Sequence, residues 1–438
     1  MTRTLNLALV PMLLFHLWLA SNFELSHDEA YYWLYSKQMA WGFFDHPPMV
    51  GLIIKIFSWM PQTELAVRIG FILLQLASCI IINKLIAPER RWIGLLLFFA
   101  FPLASFSGLF SLPDLPLLFF TVLYCYILKR YLTQKDLLSI FGLGLVIPLL
   151  LYSKYHGILV IFFTLLAVPK LVKQKEFYLI MVLAIIGFLP HLFWQQDHNY
   201  ATLKYHFFER PKVDFSVMRL LEYSVTQVFL AGLFVGPIVW WSVLKQKTKT
   251  DFDRALKFIA VGTFLFFLIS TCSKKFEANW TIFITPALIV LSLQSDIWMK
   301  KWTKVLLVTS LVIVFLPRLL LVMDPDLLRI KRLKEFHGWR KWSQAIQENC
   351  KSPIMANTYQ MASKLSFYLK QPVHSLNYRS RKNQFDYWTW DKSYYQTETV
   401  CYVTDKKQFS GEIIPTPEGK ELRVIDGFTP SGLSIKNP

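Results

Sequence analysis

LNLALVPMLLFHLWLAS (residues 5–21) is an apolar run, and SHDEAYYWLYSKQMAWGFFDHPPMVG (26–51) follows it closely. The run has the length and composition of a helix that crosses a lipid bilayer, because about 20 apolar residues span the hydrocarbon core. The second stretch concentrates carboxylates, histidines and aromatic rings directly after that crossing. Ionisable groups placed at a membrane are a functional hypothesis by default.

The composition of the whole chain is that of a membrane protein. Hydrophobic residues make up 54% of the 438 residues and charged residues 17%, whereas soluble proteins carry about 25% charged residues. Apolar runs predict an all-α polytopic protein with about eleven membrane-spanning helices. The predicted spans are 5–21, 64–86, 92–108, 114–129, 137–153, 156–170, 177–194, 223–244, 255–272, 280–298 and 303–322.

The net charge of +18 is distributed in a way that argues against nucleic-acid binding. Lysine and arginine cluster in alternate connections between the spans, at 84–91, 129–135, 170–175, 245–254 and 300–304. This is the positive-inside pattern, which predicts a cytoplasmic N-terminus, an external first loop (22–63) and an external C-terminal segment. A cleaved signal peptide at 5–21 is an alternative that leaves the later topology unchanged.

The composition changes near Met323, so we predict a transmembrane domain (1–323) and a small external α/β domain (324–438). Strands are predicted at 353–358, 373–377, 399–404 and 422–428, and an amphipathic helix at 359–370. Cys350 and Cys401 fall in this external segment, where a disulfide is permitted but does not follow from the sequence.

The acids of the first loop have two interpretations. Ser26 and Glu29 have the spacing of a capping box, and Asp28 favours the helix dipole, so both acids could simply start a helix through Ala40. Asp45 could likewise only form a turn before the two prolines that follow it. Spacing alone leaves the structural and functional interpretations open.

Three features favour the functional interpretation. The predicted helix after Asp28 is rich in tyrosine and tryptophan, which suit a membrane interface or stacking on sugars. The Pro47-Pro48 turn brings the chain back, so that Asp45 and His46 approach the same place. Other external loops add Asp114 and Glu277. The chain also lacks a glycine-rich phosphate loop, so a nucleotide is not the expected activated substrate.

The order of these motifs resembles the GT-C glycosyltransferases. The motifs are a DE pair after the first span, FDHPP (44–48), PDLP (113–116), SKYHG (153–157) and EANW (277–280). Together they are similar to the branch that contains protein O-mannosyltransferases, aminoarabinose transferases and bacterial lipid A or lipopolysaccharide sugar transferases. The resemblance covers about residues 5 to 300 and, less specifically, the C-terminal segment.

This resemblance implies a multi-pass enzyme of the bacterial cytoplasmic (inner) membrane. Such an enzyme takes a sugar from a polyprenyl phosphate donor and transfers it to an acceptor at the periplasmic face, among membrane lipids. The family's loop-one acid maps onto Asp28 and its PDxP acid onto Asp114. Where aminoarabinose transferases have an acidic-Lys-Pro-Pro turn, this chain has Asp45-His46, which removes a fixed positive charge from the turn.

The predicted catalytic residues are Asp28, Glu29 and Asp114, with Asp28 as general base for the acceptor hydroxyl and Asp114 orienting Asp28 or holding the acceptor. Cations are needed for the phosphate of the donor. The predicted substrate-binding residues are Asp45, His46, Lys154, His156, Arg210, Glu277 and Trp280. The basic residues Arg379, Arg381 and Lys382 could contact anionic glycan or lipid, but a solvated surface is the favoured interpretation.

Cofactors and acceptor stay open at this point. A divalent metal at Asp45, His46 and Glu277 is possible from the ligand types, although no ligand motif of fixed spacing exists. Lipid A, another envelope glycan or a protein hydroxyl would each need the same base at the same membrane face. The alternatives to an enzyme are a transporter or flippase of polyprenyl-linked sugars, in which internal repeats are expected, and a non-catalytic anchor for the C-terminal domain.

Overall fold

The computed structural model describes residues 7–205, 213–388 and 399–430. The first apolar run forms helix α1, and the stretch after it forms two short helices that lie before the next long one. These helices are α1 (Leu9–Ser21), α2 (His27–Lys37), α3 (Met49–Ile56) and α4 (Glu64–Leu85). The predicted helix through Ala40 is therefore confirmed as α2, which ends three residues earlier.

The central part of the chain is almost entirely helical. Its helices are α5 (Arg91–Ala100), α6 (Pro102–Phe106), α7 (Asp114–Gln134), α8 (Leu137–Ser153), α9 (Gly157–Ala167), α10 (Lys175–Asp197), α11 (Ala201–Lys204), α12 (Val217–Leu230), α13 (Gly236–Lys245), α14 (Asp251–Ser270), α15 (Thr285–Ser292), α16 (Lys301–Phe315) and α17 (Pro317–Leu320). Short 3-10 turns connect them at Pro88–Arg90, Ser107–Leu109, Pro169–Lys173, Ala278–Ile284 and Asp296–Met299.

Fewer of these helices are membrane-spanning by length than the sequence predicted. Among the described residues, four helical segments are long and apolar enough: Glu64–Leu85, Asp114–Gln134, Lys175–Asp197 and Lys301–Leu320. Pro88–Ala100 and Pro102–Leu109 together form one bent pair with an angle of 81°. The count of eleven spans is therefore not confirmed.

The remaining predicted spans are short or interrupted for local reasons. The predicted span at 223–244 is divided into α12 and α13 around Gly232, whose φ of +110° is a conformation that favours glycine. The predicted span at 280–298 begins as a 3-10 turn and continues only as the short helix α15. Hydropathy detected these apolar segments, but it could not detect where the backbone turns.

The C-terminal segment is a small α/β unit around one mixed sheet. Its elements are α18 (Pro325–Leu328), a 3-10 turn (Lys331–Phe336), α19 (Trp339–Glu348), β1 (Ile354–Ala356), α20 (Tyr359–Leu369), β2 (His374–Ser375), a 3-10 turn (Gln384–Asp386), β3 (Val400–Thr404), β4 (Glu412–Pro415) and β5 (Glu421–Phe428). The strand order is β2-β1-β3-β5-β4. The β1 strand is parallel to β2 and β3, while β5 is antiparallel to β3 and β4.

The four predicted strands and the predicted helix of this segment are confirmed. The sequence missed β4, whose residues are mostly exposed, so it lacks the alternation of apolar and polar residues that indicates a half-buried strand. The helix α20 packs against α2 of the first loop. This contact places the C-terminal domain directly over the acids that follow the first apolar run.

A disulfide joins Cys350, just after α19, to Cys401 in β3, 51 residues apart along the chain. A disulfide that closes a loop of this size stabilises a folded domain by about 2–4 kcal/mol. We expect the double variant Cys350→Ser/Cys401→Ser to lower the stability of the C-terminal domain by that amount, measured by limited proteolysis over a temperature series. The control is Cys272→Ser, which removes a free thiol. Equal protease resistance of the double variant and the unmodified protein would contradict the prediction.

Candidate active site

Helix α2 begins with the predicted capping box. The amide of Glu29 donates to the Ser26 hydroxyl oxygen (3.2 Å), and the amide of Ser26 donates to the Glu29 carboxylate (2.9 Å). Capping fixes the start of the helix and therefore the directions of the two side chains between these residues. His27 and Asp28 thus occupy the first turn, where the dipole of the helix favours a negative charge.

Glu29 is also one half of a buried ion pair. Its carboxylate accepts from Arg68 of α4 through both oxygens, at 2.7 and 2.8 Å, and both side chains are 0% exposed. The amide of Ser111, in the loop that leads into PDLP, donates to the same carboxylate (3.1 Å). Burial alone would raise the pKa of Glu29, but the charge and hydrogen bonds of Arg68 hold this pKa below its usual value.

Arg68 extends this pair to the end of the first apolar run. Its guanidinium donates to the backbone carbonyls of Ala20, Phe23 and Glu24 at 2.8 to 3.0 Å. The pair thereby fastens α1, α2, α4 and the loop before α7 at one point. Of the two interpretations of Glu29, capping and catalysis, this geometry favours the structural one, because the carboxylate has no face open to a substrate.

Asp28 has the opposite environment. Its side chain is exposed to solvent, yet burial by the surrounding protein raises its pKa to about 6, and the charges of Glu335 and Asp45 add to the rise. This accessible carboxylate is partly surrounded by protein, and Glu335, Asp45 and Arg381 are among the charged groups near it. The space that these groups border is referred to below as the recess of the first loop. A carboxylate of this pKa is ionised near neutral pH and is basic enough to accept a proton.

The FDHPP turn folds back onto α2, as its two prolines predicted. The Tyr31 hydroxyl donates to one oxygen of Asp45, and Arg381 donates to the other, both at 2.7 Å. Gln384 contacts both Tyr31 and the turn. Its backbone amide donates to the Tyr31 hydroxyl oxygen, and its side-chain oxygen accepts from the backbone amide of Phe44, both at 2.7 Å. The turn is therefore held between helix α2 and the C-terminal domain.

The C-terminal domain also holds the start of α2. Lys364 of α20 donates to the carbonyl of Leu25, whose amide donates to the Tyr368 hydroxyl oxygen (2.9 Å). The ring of His27 lies 3.1 Å from a carboxylate oxygen of Glu418 and edge-on to Trp339. Leu25 and His27, which directly precede Asp28 or lie close before it in the chain, are therefore held by groups from the C-terminal domain.

The other predicted acid, Asp114, belongs to a second group. It lies at the first residue of α7, where its carboxylate accepts from Lys154 (2.8 Å) and from the Asn279 side chain (2.9 Å). Asp114 and Lys154 are both buried. Neither of these bonds joins Asp114 to Asp28, so the predicted orienting contact is not among them. The ammonium group predicted for the donor phosphate is paired with Asp114 instead.

Four further predicted residues are among those that the structure describes. His156 packs against Trp280, with ring centroids 5.3 Å apart, in a contact between the SKYHG and EANW motifs. His46 lies edge-on to Tyr32, at 5.7 Å. Glu277 is exposed at the start of the 3-10 turn that carries Trp280, and Arg210 lies outside the described residues.

The geometry gives no support to the predicted metal site in the part of the chain that the structure describes. Within residues 7–205, 213–388 and 399–430, no three histidine, cysteine, aspartate or glutamate side chains are close enough together to hold a metal ion. Asp45, the first predicted ligand, is paired with Arg381.

Two residues of this site were missed or misread in the sequence. Arg68 carried a signal, because an arginine inside an apolar run is expensive and needs a partner. Arg381 carried none, because it stands in a basic segment that resembles a solvated surface. Its ion pair with Asp45 corrects that interpretation for Arg381, while Arg379 is exposed.

Comparisons with known proteins agree with the motif order. A family model described as dolichyl-phosphate-mannose-protein mannosyltransferase matches residues 45–194. Lipid A galacturonosyltransferase RgtD of Rhizobium johnstonii is 24% identical over 302 residues, which are 63% of this chain and 61% of RgtD. The alignment thus spans less than two thirds of the length of that relative.

The fold is that of ArnT from Cupriavidus metallidurans. The crystal structure of apo ArnT has a TM-score of 0.68 at 11% identity and covers 96% of this chain and 97% of ArnT. The crystal structure of ArnT bound to undecaprenyl phosphate has a TM-score of 0.67 at 12% identity. It covers 95% of this chain and 97% of ArnT. The resemblance to this GT-C branch is confirmed, and the chain has the GT-C fold with a small C-terminal sheet.

Proposed function

We propose that this protein is an integral-membrane glycosyltransferase that takes a sugar from a polyprenyl phosphate donor. The acceptor is a hydroxyl group at the external face of the bacterial inner membrane, and Asp28 is the general base. The observation that carries the proposal is the contrast between Asp28 and Glu29. Glu29 is buried in an ion pair with Arg68, while Asp28 is accessible in the recess and has a pKa of about 6. The family match and the ArnT fold support the same reaction class.

The chain's own residues provide the steps of the transfer. Asp28 takes the proton of the acceptor hydroxyl while that oxygen bonds to the anomeric carbon of the sugar. The bond between the anomeric carbon and the phosphate oxygen breaks at the same time, and the lipid phosphate leaves with the electron pair. A correctly placed base contributes about 10² to 10⁴ to such a rate.

For the substrates we propose a lipid acceptor, with lipid A as the first to be tested, and a hexuronic acid among the donor sugars. RgtD is named a lipid A galacturonosyltransferase, and ArnT has been crystallised with undecaprenyl phosphate. The name of RgtD supports lipid A as the acceptor and a galacturonic acid as the sugar, and the ArnT complex supports a polyprenyl phosphate carrier. The departure at His46 from the acidic-Lys-Pro-Pro turn is our reason for not proposing aminoarabinose.

The experiment is a transfer assay with the purified full-length protein in lipid nanodiscs. Polyprenyl phosphate donors that carry galacturonic acid, mannose or aminoarabinose are each combined with lipid A or a serine-containing peptide, and products are identified by mass spectrometry. We expect one donor to modify lipid A. If the same protein in lipid vesicles moves donors between leaflets without any acceptor, and no product forms in the transfer assay, the protein is a transporter and the proposal is wrong.

The pH dependence of the reaction follows from the pKa of Asp28. The base acts in its ionised form, so kcat/KM should rise with pH and level off above an apparent pKa of about 6. The measurement is the initial rate at low donor concentration between pH 4.5 and 8.5. A rate that stays nearly constant over this range, as expected for a carboxylate with the ordinary aspartate pKa of 3.8, would contradict a base with a pKa of about 6.

A further inference from the structure

Arg381 belongs to the C-terminal domain, but its guanidinium lies in the recess of the first loop. It forms the 2.7 Å ion pair with Asp45, and it is 336 residues away from that partner in sequence. The guanidinium carbon is 5.5 Å from the ring centre of Tyr205 and 5.6 Å from that of Tyr359. Its side chain is 43% exposed, so this cation is held by an ion pair and is still accessible to solvent.

We propose that Arg381 is a positioning residue of the transfer reaction, inserted by the C-terminal domain to neutralise Asp45 and to hold the FDHPP turn beside Asp28. This inference rests on the proposed function. It makes the C-terminal domain a part of the catalytic unit rather than an accessory. Gln384 supports the same role, because it bonds to Tyr31 on one side of the turn and to Phe44 within it.

The charges that face Asp28 explain why a cation is needed there. Glu335 of the C-terminal domain, Asp45 of the turn and Glu29 of α2 all raise the pKa of Asp28, while Arg381 lowers it. Tyr32 and Tyr359 also interact with Asp28, but burial raises the pKa of both hydroxyls, so these remain neutral. Among these charged groups, Arg381 is the one that lowers the pKa of Asp28 and therefore favours its ionised form.

Arginine suits this position better than lysine for geometric reasons. Its planar guanidinium can donate to a carboxylate while its faces pack on aromatic rings, whereas an ammonium group is a compact and more strongly hydrated charge. The turn itself carries His46, where aminoarabinose transferases have a lysine. The fixed positive charge beside the acid of the turn therefore comes from another domain in this chain.

The test compares pH profiles of kcat/KM for Arg381→Met, Arg381→Lys, Asp45→Asn and the double variant Asp45→Asn/Arg381→Met in the transfer assay. Arg381→Met should move the rising limb of the profile about one pH unit higher and therefore lower kcat/KM at pH 6 about fivefold. Arg381→Lys should restore most of the limb position because it keeps the charge. The double variant should return the limb toward that of the unmodified protein, because it removes the acid and the cation together.

Arg379→Met is the matched control, because Arg379 is two residues away and exposed, and among the described residues it contacts Gln408 and Tyr378. It should leave the profile unchanged. If Arg381→Met lowers the rate equally at all pH values, the role is merely structural and the inference is wrong. If Arg381→Met raises the KM for the donor without moving the rising limb of the pH profile, Arg381 binds substrate instead. That result would also overturn the inference. Absence of transfer by the unmodified protein would instead contradict the proposed function.

Discussion

Replacing Asp28 with asparagine is expected to lower the rate of sugar transfer by about 10² to 10⁴ without unfolding the protein. The amide has nearly the shape of the carboxylate but cannot accept the proton of the acceptor hydroxyl. The measurement is kcat with saturating donor and acceptor at pH 7.5. Binding of the polyprenyl phosphate donor should change little, because the loss falls on the chemical step.

The fold of the Asp28→Asn variant is expected to be intact for an electrostatic reason. The pKa of Asp28 is higher in the folded protein, about 6, than its ordinary value of 3.8. The ionised form is therefore disfavoured by folding, and Asp28 lowers stability at pH values above about 6. Removing the charge should leave the unfolding temperature at pH 7.5 unchanged or slightly higher.

The control for Asp28 is Asp326→Asn, which removes an exposed carboxylate that pairs with Lys334. This change should leave the transfer rate unaffected, because exposed ion pairs contribute little. Full activity of the Asp28 variant would rule out this residue as the base. An inactive variant with a lowered unfolding temperature would indicate a structural role, in contrast to the expectation above.

Replacing Arg68 with methionine is expected to destabilise the protein by about 3–5 kcal/mol, because it leaves the carboxylate of Glu29 buried without its counter-ion. The same change frees three backbone carbonyls at the end of the first apolar run. The measurement is the unfolding temperature of the purified protein in detergent, together with the yield of monodisperse protein. We expect the double variant Glu29→Gln/Arg68→Met to be less unstable than Arg68→Met, because no unpaired charge remains.

The matched control is Arg340→Met. Arg340 also forms an ion pair with a glutamate of α4, Glu64, but its side chain is 59% exposed. Solvent weakens such a pair, so its loss should cost less than about 1 kcal/mol. If the Arg68 and Arg340 variants unfold at the same temperature, the buried pair does not fasten the first loop as its geometry indicates.

These two predictions separate adjacent residues of one motif. In an α-helix successive side chains point about 100° apart, so Asp28 and Glu29 cannot face the same surroundings. Glu29 faces Arg68 and the amides of Ser26 and Ser111, and Asp28 faces the recess. A chain that exchanged these two residues would keep its composition and its charge, but we expect it to lose both the buried ion pair with Arg68 and the proposed base.

The sequence by itself determined the features that depend on neighbours along the chain. Hydropathy located the apolar helices, the Ser26–Glu29 spacing located the start of α2, and the two prolines predicted that FDHPP returns to that helix. The motif order predicted the GT-C fold. These signals are local, because a helix cap or an apolar run is defined within a few turns of backbone.

Only the tertiary structure decided which apolar runs form continuous helices. It also decided that Glu29 is the acid buried in an ion pair and that Asp28 is the accessible one. It also placed Arg381 beside Asp45 and paired Lys154 with Asp114. These partners come from segments that are far apart in sequence, and an ion pair depends on the distance between two charges in space. The sequence therefore predicted the elements of the site, while the packing of the C-terminal domain on the first loop determined their electrostatic environment.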